Sequence, residues 1–399
     1  MLFMIVLETK LRGNSTQFAL IDDAIRTAQF IRNKCLRHWL DNKGVGQYDL
    51  SKLCAVLAKE FEWAGKLNSM ARQASAERAW SAIRRFYDNC KAKKPGKKGF
   101  PKFKKNCRSV EYKTSGWKLS EDRKHLTFMD GFKAGTFLLM GAEDLHFYQA
   151  SQIKRIRVVR KADGYYAQFC LEVDRQETIQ PTGKAVGIDL GLKYFYKATD
   201  GTEIENPKFL RKSERKLKRL QRRVSKKQKG SKNRKKAINR LGRQHLKVSR
   251  QRKDWVVKQA RALVMSSDLI AYENLQVRNM VRNHHLAKSI SDAAWSLFVH
   301  WVKYYAQIFG KVQQPVPPQN TTIECFDCKQ PVQKTLSTRT HVCHHCGSVR
   351  CRDENAAWNI LEKGLRLAGI NTVGHTEINA SGQSDLYLNQ AIGLDKSAG

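Results

Sequence analysis

No run of 18 or more apolar residues occurs in the 399-residue chain, and no lipidation signal, so nothing in it reads as a membrane span or a lipid anchor. The apolar opening MLFMIVLETK lacks a basic leader, a long apolar centre and a small-residue cleavage site, and reads as a strand rather than a signal peptide. No internal repeat is visible, which argues against a solenoid or propeller. The ten cysteines do not make a disulfide framework. Cys35, Cys54, Cys90, Cys107 and Cys170 are scattered and read as small packed hydrophobes, whereas the other five crowd into residues 325–351. That usage fits a reducing compartment, and a cytoplasmic location is expected.

Acid is also in short supply. The chain carries 74 Lys+Arg against 36 Asp+Glu, a formal charge of +38. Such a surplus gains by releasing counterions from a polyanion, so nucleic acid is the expected partner and a membrane is not. The surplus is uneven: residues 208–253 hold 22 Lys/Arg and a single acid, Glu214. Leu217, Leu220 and Val224 recur there at helical spacing, as do Ile238 and Leu241, which predicts a helical hairpin broken near Gly230-Ser231. With no opposite charges to lace it, such a face repels itself unless a polyphosphate lies on it.

Length allows two or three domains. Residues 2–8 read as a strand, and 18–40, LSKLCAVLAKEF and MARQASAERAWSAIRRFYDNCKA read as helices. KKPGKKGFPKFKK at 93–105 is too polar and too broken by proline to be core. From there the period becomes two: IKRIRVVRKADGYYAQFCLEV predicts a hairpin turning at Asp163-Gly164, and 108–178 reads as a small β-barrel that the first strand could complete. A second hairpin starts near Lys184. Further on come a helix at 254–266, the apolar strand DLIAYENL, and a helix through SDAAWSLFVHWVKYYAQIF.

The pattern Cys325-x2-Cys328, fourteen residues, Cys343-x2-Cys346-Gly347 lets four thiolates converge tetrahedrally, the geometry Zn²⁺ accepts. Four sulfur ligands leave no open position, so this Zn²⁺ is expected to fold the segment rather than to catalyse. His341, His344, His345 and Cys351 are spare candidates. Three acids sit apart from the charge-rich stretches: Asp189 inside the apolar AVGIDLGLKYF, Glu273 at the end of DLIAYE, and Asp353 at the start of a helix directly after the cysteines. Strands deplete aspartate, and unpaired buried charge is costly. Each alone could pair with an arginine or cap a turn. Together, two carboxylates from adjacent strands and one from a helix can hold two Mg²⁺ ions about 4 Å apart for attack on a phosphodiester, with Mn²⁺ a possible substitute.

GFPKFKK, VGIDLGLKYF, YENLQVRNMVRNHHLAKSISDAAWSLF, the paired Cys-x2-Cys and RDENAAWNI occur in that order between residues 99 and 360. In these pieces the chain resembles the transposon-encoded TnpB family, small RNA-guided nucleases related to type V CRISPR effectors. The resemblance implies that Asp189, Glu273 and Asp353 are the catalytic acids of a RuvC-like (RNase H-type) domain. It implies a Mg²⁺-dependent DNA endonuclease, guided by a transposon-end RNA, cutting double-stranded target DNA beside a short transposon-adjacent motif. Where the family usually has Asp-Arg-Asp, this chain has Cys351-Arg352-Asp353, and the first knuckle, CFDCKQ, lacks the glycine that commonly follows its second cysteine. Asn355 is expected to support the metal ligands from one turn deeper, and Glu354 to be only a first-turn acid.

The expected fold class is α+β multidomain. A wedge-type β-barrel (1–14 and 106–180) carries an inserted helical recognition domain (15–105). A RuvC-like α/β nuclease (181–320 and 352–373) carries an inserted zinc ribbon (321–351), and 374–399 is a disordered tail. The expected nucleic-acid contacts are Lys102, Lys104 and Lys105 in the polar link, and Arg222, Arg223, Lys226, Lys227, Arg234 and Lys235 in the basic block. A prokaryotic monomer, on the nucleoid when bound to DNA, is favoured. The alternatives are a nuclease-inactive RNA-guided repressor, which such acids argue against, and a zinc-ribbon DNA-binding protein, which would not account for the nuclease motifs.

Overall fold

The computed structural model describes residues 2–177, 179–335 and 338–369, and the chain divides into two units, Met1–Arg175 and Gln176–Gly399. The expected disordered tail, 374–399, lies outside the described residues, as do 370–373 of the expected nuclease span.

In the first unit β1 (Leu2–Arg12) turns Ile5, Thr9 and Leu11 inward and Met4 and Val6 outward, as its alternation dictates. Asn14 then starts α1 (Ser15–Asp41): its side chain accepts from the Gln17 N–H at 2.8 Å, and the Gln17 side chain returns the bond to the Asn14 N–H at 2.9 Å. Next come α2 (Gln47–Glu60), the single turn α3 (Glu62–Gly65) and α4 (Ser69–Lys91). Six strands follow: β2 (Ser109–Lys113), β3 (Trp117–Leu119), β4 (His125–Phe128), β5 (Thr136–Met140), β6 (Ile153–Lys161) and β7 (Gly164–Asp174). The sheet order is β2-β6-β7-β1-β5-β4-β3, antiparallel throughout. The β6–β7 hairpin turns where Asp163-Gly164 predicts, with Lys161 opposite Gly164.

The expected barrel does not close. Its edges, β2 and β3, are consecutive in the chain, joined through one short turn (Thr114–Gly116), and are not paired with each other. The result is an open half-barrel. Helices and sheet share one core, where Ile21, Ala28 and Ile31 meet Phe137, Phe169 and Leu171. Cys35, Cys54 and Cys170 are buried in this unit, and Cys90 and Cys107 are half-buried.

The second unit holds β8 (Ala185–Leu190), β9 (Tyr194–Ala198), β10 (Glu203–Glu205), α5 (Phe209–Ser225), α6 (Lys232–Ser266), β11 (Leu269–Glu273), the short α7 (Val277–Met280), α8 (His284–Ala293), α9 (Trp295–Ile308), β12 (Val312–Val316), β13 (Thr340–Val342), β14 (Val349–Cys351) and α10 (Arg352–Leu367). Its main sheet runs β10-β9-β8-β11-β12; the first three strands form an antiparallel meander, and β11 and β12 run parallel to β8. Even-numbered residues of β8 and β11, among them Val186, Ile188, Ile270 and Tyr272, face the core shared with α6 and α9. Odd-numbered ones face α10. The helical hairpin breaks where expected, with Ser231 capping α6 through the Arg234 N–H at 3.1 Å. The separate helix expected at 254–266 is instead the end of α6. No glycine or proline between 243 and 266 stops it, so it runs 35 residues, about 52 Å.

Candidate active site and cysteine cluster

Two glycines decide where α10 lies. A Cβ on Gly187 of β8 would stand 2.3 Å from the Ala357 carbonyl oxygen, and one on Gly364 of α10 would stand 2.4 Å from the Ala271 Cβ. The helix therefore rests directly on backbone, with Ile360 and Leu361 buried beside Leu269 and Ala271. Asp189 lies two residues beyond Gly187 and Glu273 two beyond Ala271, so both point to the same face. Tyr272 pairs with Ile188 in the parallel ladder, which leaves Asp189 and Glu273 side by side at the carboxyl ends of adjacent strands. Asp353 sits in the first turn of α10, above that edge.

The three acids feel one another. Asp189 is half-buried, and burial, then the neighbouring Glu273 and Asp353 carboxylates, push its carboxyl up to about 8 against the pull of Arg352. Glu273 is 8 % exposed; burial raises it, opposed by the Thr321 hydroxyl that donates to it and by Lys363. Asp353 accepts from Arg352 at 2.9 Å and lies 3.8 Å from Arg339. Neighbouring carboxylates with raised proton affinity at one sheet edge make this a candidate functional cluster.

Several supporting residues give no local sequence signal. Thr321, 1 % exposed, fixes Glu273. Lys197 lies opposite Asp189 on β9, pairs with Glu203, and places its Nζ 3.4 Å from Cys351 Sγ, tying β9 to the foot of α10. Cys351 thus stands next to a lysine, apart from the other cysteines. Asn355 does not support the acids as expected. It is two residues from Asp353, on another face of the helix, and it accepts from the Phe326 N–H at 3.0 Å and donates to the Glu324 carbonyl at 2.8 Å. Asn359 repeats the contact one turn on, donating to the carbonyls of Thr321 and Glu324. Together they fasten α10 to the segment that begins the cysteine loop. Glu354, expected to be a first-turn acid only, is in that turn.

Cys325, Cys328, Cys343 and Cys346 come together with every sulfur within 4.8 Å of the others, the only group of three or more such ligands this tight among the described residues. Cys325 and Cys346 are 3.7 Å apart and Cys328 and Cys343 3.5 Å, too long for a disulfide and close to the roughly 3.8 Å edge of a tetrahedron with 2.3 Å metal–sulfur bonds. Burial opposes a Cys343 thiolate, yet the amides of Cys346 and His345 hold its thiol at about 6. The missing glycine of the first knuckle changes nothing in its turn. Lys329 adopts φ +61° where Gly347 adopts +73°, and their N–H groups donate to the Cys325 and Cys343 carbonyls at 3.0 and 2.9 Å. An L side chain held there costs about 1 kcal/mol. His341 is buried in the loop and, like His344 and His345, stands outside the sulfur cluster.

The expected cationic contacts are nearly all exposed. Lys102, Lys104 and Lys105 lie on a strand-free link fastened along α1, where the Asn33 side chain bonds both the N–H and the carbonyl of Lys104. Arg222, Arg223, Lys226, Lys227 and Lys235 point to solvent. Arg234 differs: its guanidinium donates to the carbonyls of Val224 and Lys227, closing the end of α5, so it shapes the hairpin.

Residues 168–284 match the family model OrfB_IS605, a probable transposase, and 295–360 match the Cas12f1-like TNB domain. Over these two segments the chain resembles that transposase family and the Cas12f1-like TNB domain. A Streptomyces pristinaespiralis protein named as an RNA-guided DNA endonuclease is 36 % identical over 197 residues, 48 % of each chain. InsQ of Escherichia coli K12, similarly named, is 25 % identical over 360 residues, 84 % of this chain and 86 % of that one. The chain thus spans about half the length of the first relative and most of the second. Among solved structures, the Cas12f1–guide RNA–target DNA complex shares the fold, with a TM-score of 0.54 at 16 % identity over 86 % of this chain and 82 % of that one. No helix among the described residues is long and apolar enough to cross a membrane.

Proposed function

We propose that this chain is a transposon-encoded, RNA-guided DNA endonuclease that hydrolyses target phosphodiesters at Asp189, Glu273 and Asp353. The observation that carries the reading is the convergence of those three acids, from two neighbouring strands and one helix, on a single sheet edge, with the Asp189 carboxyl driven to about 8. The donor set fits Mg²⁺ or Mn²⁺: hard carboxylate oxygens carrying more negative charge than Arg352 and Arg339 offset. Bound there, the metal would polarise the scissile phosphate and lower the proton affinity of an attacking water. The chain's own part is to aim the ligands. Asp189 and Glu273 are set by strand register, Thr321 holds the Glu273 carboxylate, and Arg352 holds that of Asp353.

The cysteine cluster takes Zn²⁺ in this reading and works through α10, which Asn355 and Asn359 fasten to it. The cationic helices α5 and α6 hold guide RNA and target DNA by their backbones, leaving sequence choice to base pairing. The test starts from the RNA that co-purifies with the chain, sequenced to define the guide, and a matching target with randomised flanks. The wild type should cut in Mg²⁺, and Asp189→Ala, Glu273→Ala and Asp353→Ala should each cut roughly 10³-fold more slowly while retaining the RNA. Undiminished cutting by all three variants would overturn the assignment.

A further inference from the structure

We infer that the cleft walled by Leu192, Asn206, Lys208, Arg211, Lys288 and Asp292 is a subsite for one nucleotide of the strand being cut, held by its phosphate; this rests on the nuclease reading above. The cleft encloses about 330 Å³, the small end of ligand-pocket sizes, which suits a single nucleotide rather than a run. Its position is the first argument. Leu192 follows Asp189 by three residues, in the turn leaving β8, and α8, which carries Lys288 and Asp292, follows the strand that ends in Glu273. The cleft therefore opens at the carboxyl ends of the strands, the edge that carries the acids and the one where open α/β sheets bind ligands.

Charge is the second argument. Among the described residues neither Lys208 nor Arg211 has a side-chain partner. Lys288 shares the single carboxylate of Glu214 with Lys218, at 2.7 and 2.9 Å. The one acid in the wall, Asp292, is already engaged: it accepts from the backbone N–H groups of Leu210 and Arg211 at 2.9 and 3.2 Å and from the Arg252 guanidinium at 2.9 Å. What remains toward the cleft is cationic. Lys208 also holds φ +51°, a conformation an L residue adopts at a cost, and Asn206 braces it by accepting its N–H at 3.2 Å. The same Asn206 donates to the Leu192 carbonyl at 3.4 Å, so the cleft wall and the turn leaving the Asp189 strand are joined. That bond couples a phosphate seated there to the turn that leaves the Asp189 strand.

Lysine acetylation read by mass spectrometry tests this without cleavage. The guide-loaded full chain carrying Asp189→Ala is labelled with and without its matching target duplex. Lys208 and Lys288 should be protected about five-fold or more by target, while the outward Lys258, whose side chain is 71 % exposed, should be unchanged. Equal labelling of Lys208 and Lys288 in both states, with Lys226 and Lys227 protected, would overturn the subsite and leave nucleic-acid binding standing. No protection anywhere would overturn both. In the active chain, Lys208→Gln with Arg211→Gln should slow cutting about ten-fold at saturating target while target affinity and melting stay near wild type. An unchanged rate would also overturn the subsite.

Discussion

Both units bury an acid on a sheet, and they treat it in opposite ways. In the first, Glu111 of β2 is 3 % exposed and meets Arg155 at 2.9 Å and Arg157 at 2.7 Å; burial alone would raise its carboxyl, and the two guanidinium groups hold it below the usual value instead. In the second, Asp189 meets Glu273 and Asp353, and its carboxyl rises to about 8. Both are strand carboxylates, Glu111 the more enclosed of the two. The company differs. A carboxylate bonded directly by two guanidinium groups is part of the scaffold, whereas Asp189, with two carboxylates beside it and Arg352 the nearest opposing charge, is kept at a cost that folding alone does not reward.

The largest effect should come from cutting the link between the cysteine loop and that acid edge, because the first unit has nothing equivalent. Metal analysis should find about one Zn²⁺ per chain. Cys343→Ser should remove it, free the loop that Asn355 and Asn359 grip, and let α10 drift from the sheet. Cutting should then fall as far as in Asp353→Ala, and hydrogen exchange should rise in α10 and the loop. A zinc-free protein with native exchange and full activity would break the link between cluster and site.

Next in size are paired neutralisations of the two acids. Glu111→Gln leaves two arginines facing an uncharged amide and should destabilise the protein by about 2 kcal/mol, discounted because both arginines are 40 % exposed. Asp189→Asn removes like-charge repulsion and should stabilise the metal-free protein at pH 8.5 by at least about 1 kcal/mol, while abolishing cutting. Denaturant melts of the two variants decide it. Equal signs would mean that both acids are scaffold.

Much of this contrast was legible before the structure. Asp189, Glu273 and Asp353 stood out because each interrupts an apolar or post-cysteine context, and the knuckle spacing marked the four cysteines that converge. What the chain did not disclose depends on phase between elements. Lys197 looks like any strand lysine until register sets it opposite Asp189, and Thr321 looks like loop. Asn355 was aimed the wrong way because the rotation of α10 is set by Gly187 and Gly364, whose roles appear only when the two surfaces touch. The half-barrel was misread as closed for a related reason. Alternation predicts strands, but whether the two edges of a sheet meet depends on its curvature, which no local pattern encodes.

The two acids also predict opposite pH windows, and the signs can be worked out. Glu111 holds its proton less tightly folded than unfolded, so its contribution is present above its usual value of 4.5 and is lost as pH falls through the lowered folded value. Asp189 holds its proton more tightly when folded. In metal-free protein its contribution is complete below the usual 3.8 and is lost as pH rises toward about 8. Glu273 adds in the same direction. Melting of metal-free protein should therefore fall by a few degrees between pH 5 and 8.5, and Asp189→Asn should flatten that slope. Mg²⁺ should stabilise more at pH 8.5 than at pH 6, since the proton must leave before a cation can bind. Mg²⁺ stabilisation independent of pH would contradict the shared site.

The smallest effect concerns cations that the structure leaves without acids. Along α5, Leu217, Leu220 and Val224 are buried against α6, and Arg222, Arg223, Lys226 and Lys227 point outward with no side-chain partner among the described residues. A neighbour, Arg234, is spent on carbonyls that close the hairpin. Replacing the four outward residues with glutamine should weaken binding of every guide and target alike, since phosphate contacts carry no sequence information. The log–log slope of affinity against salt should shrink by roughly 0.7–0.9 for each phosphate that is no longer neutralised. Arg234→Gln should do the reverse, lowering stability while leaving the slope almost unchanged. Affinities at several salt concentrations for wild type and both variants separate the cases. Parallel slopes for the quadruple variant would mean that its four cations are solvated surface, and that the nucleic acid runs along another face.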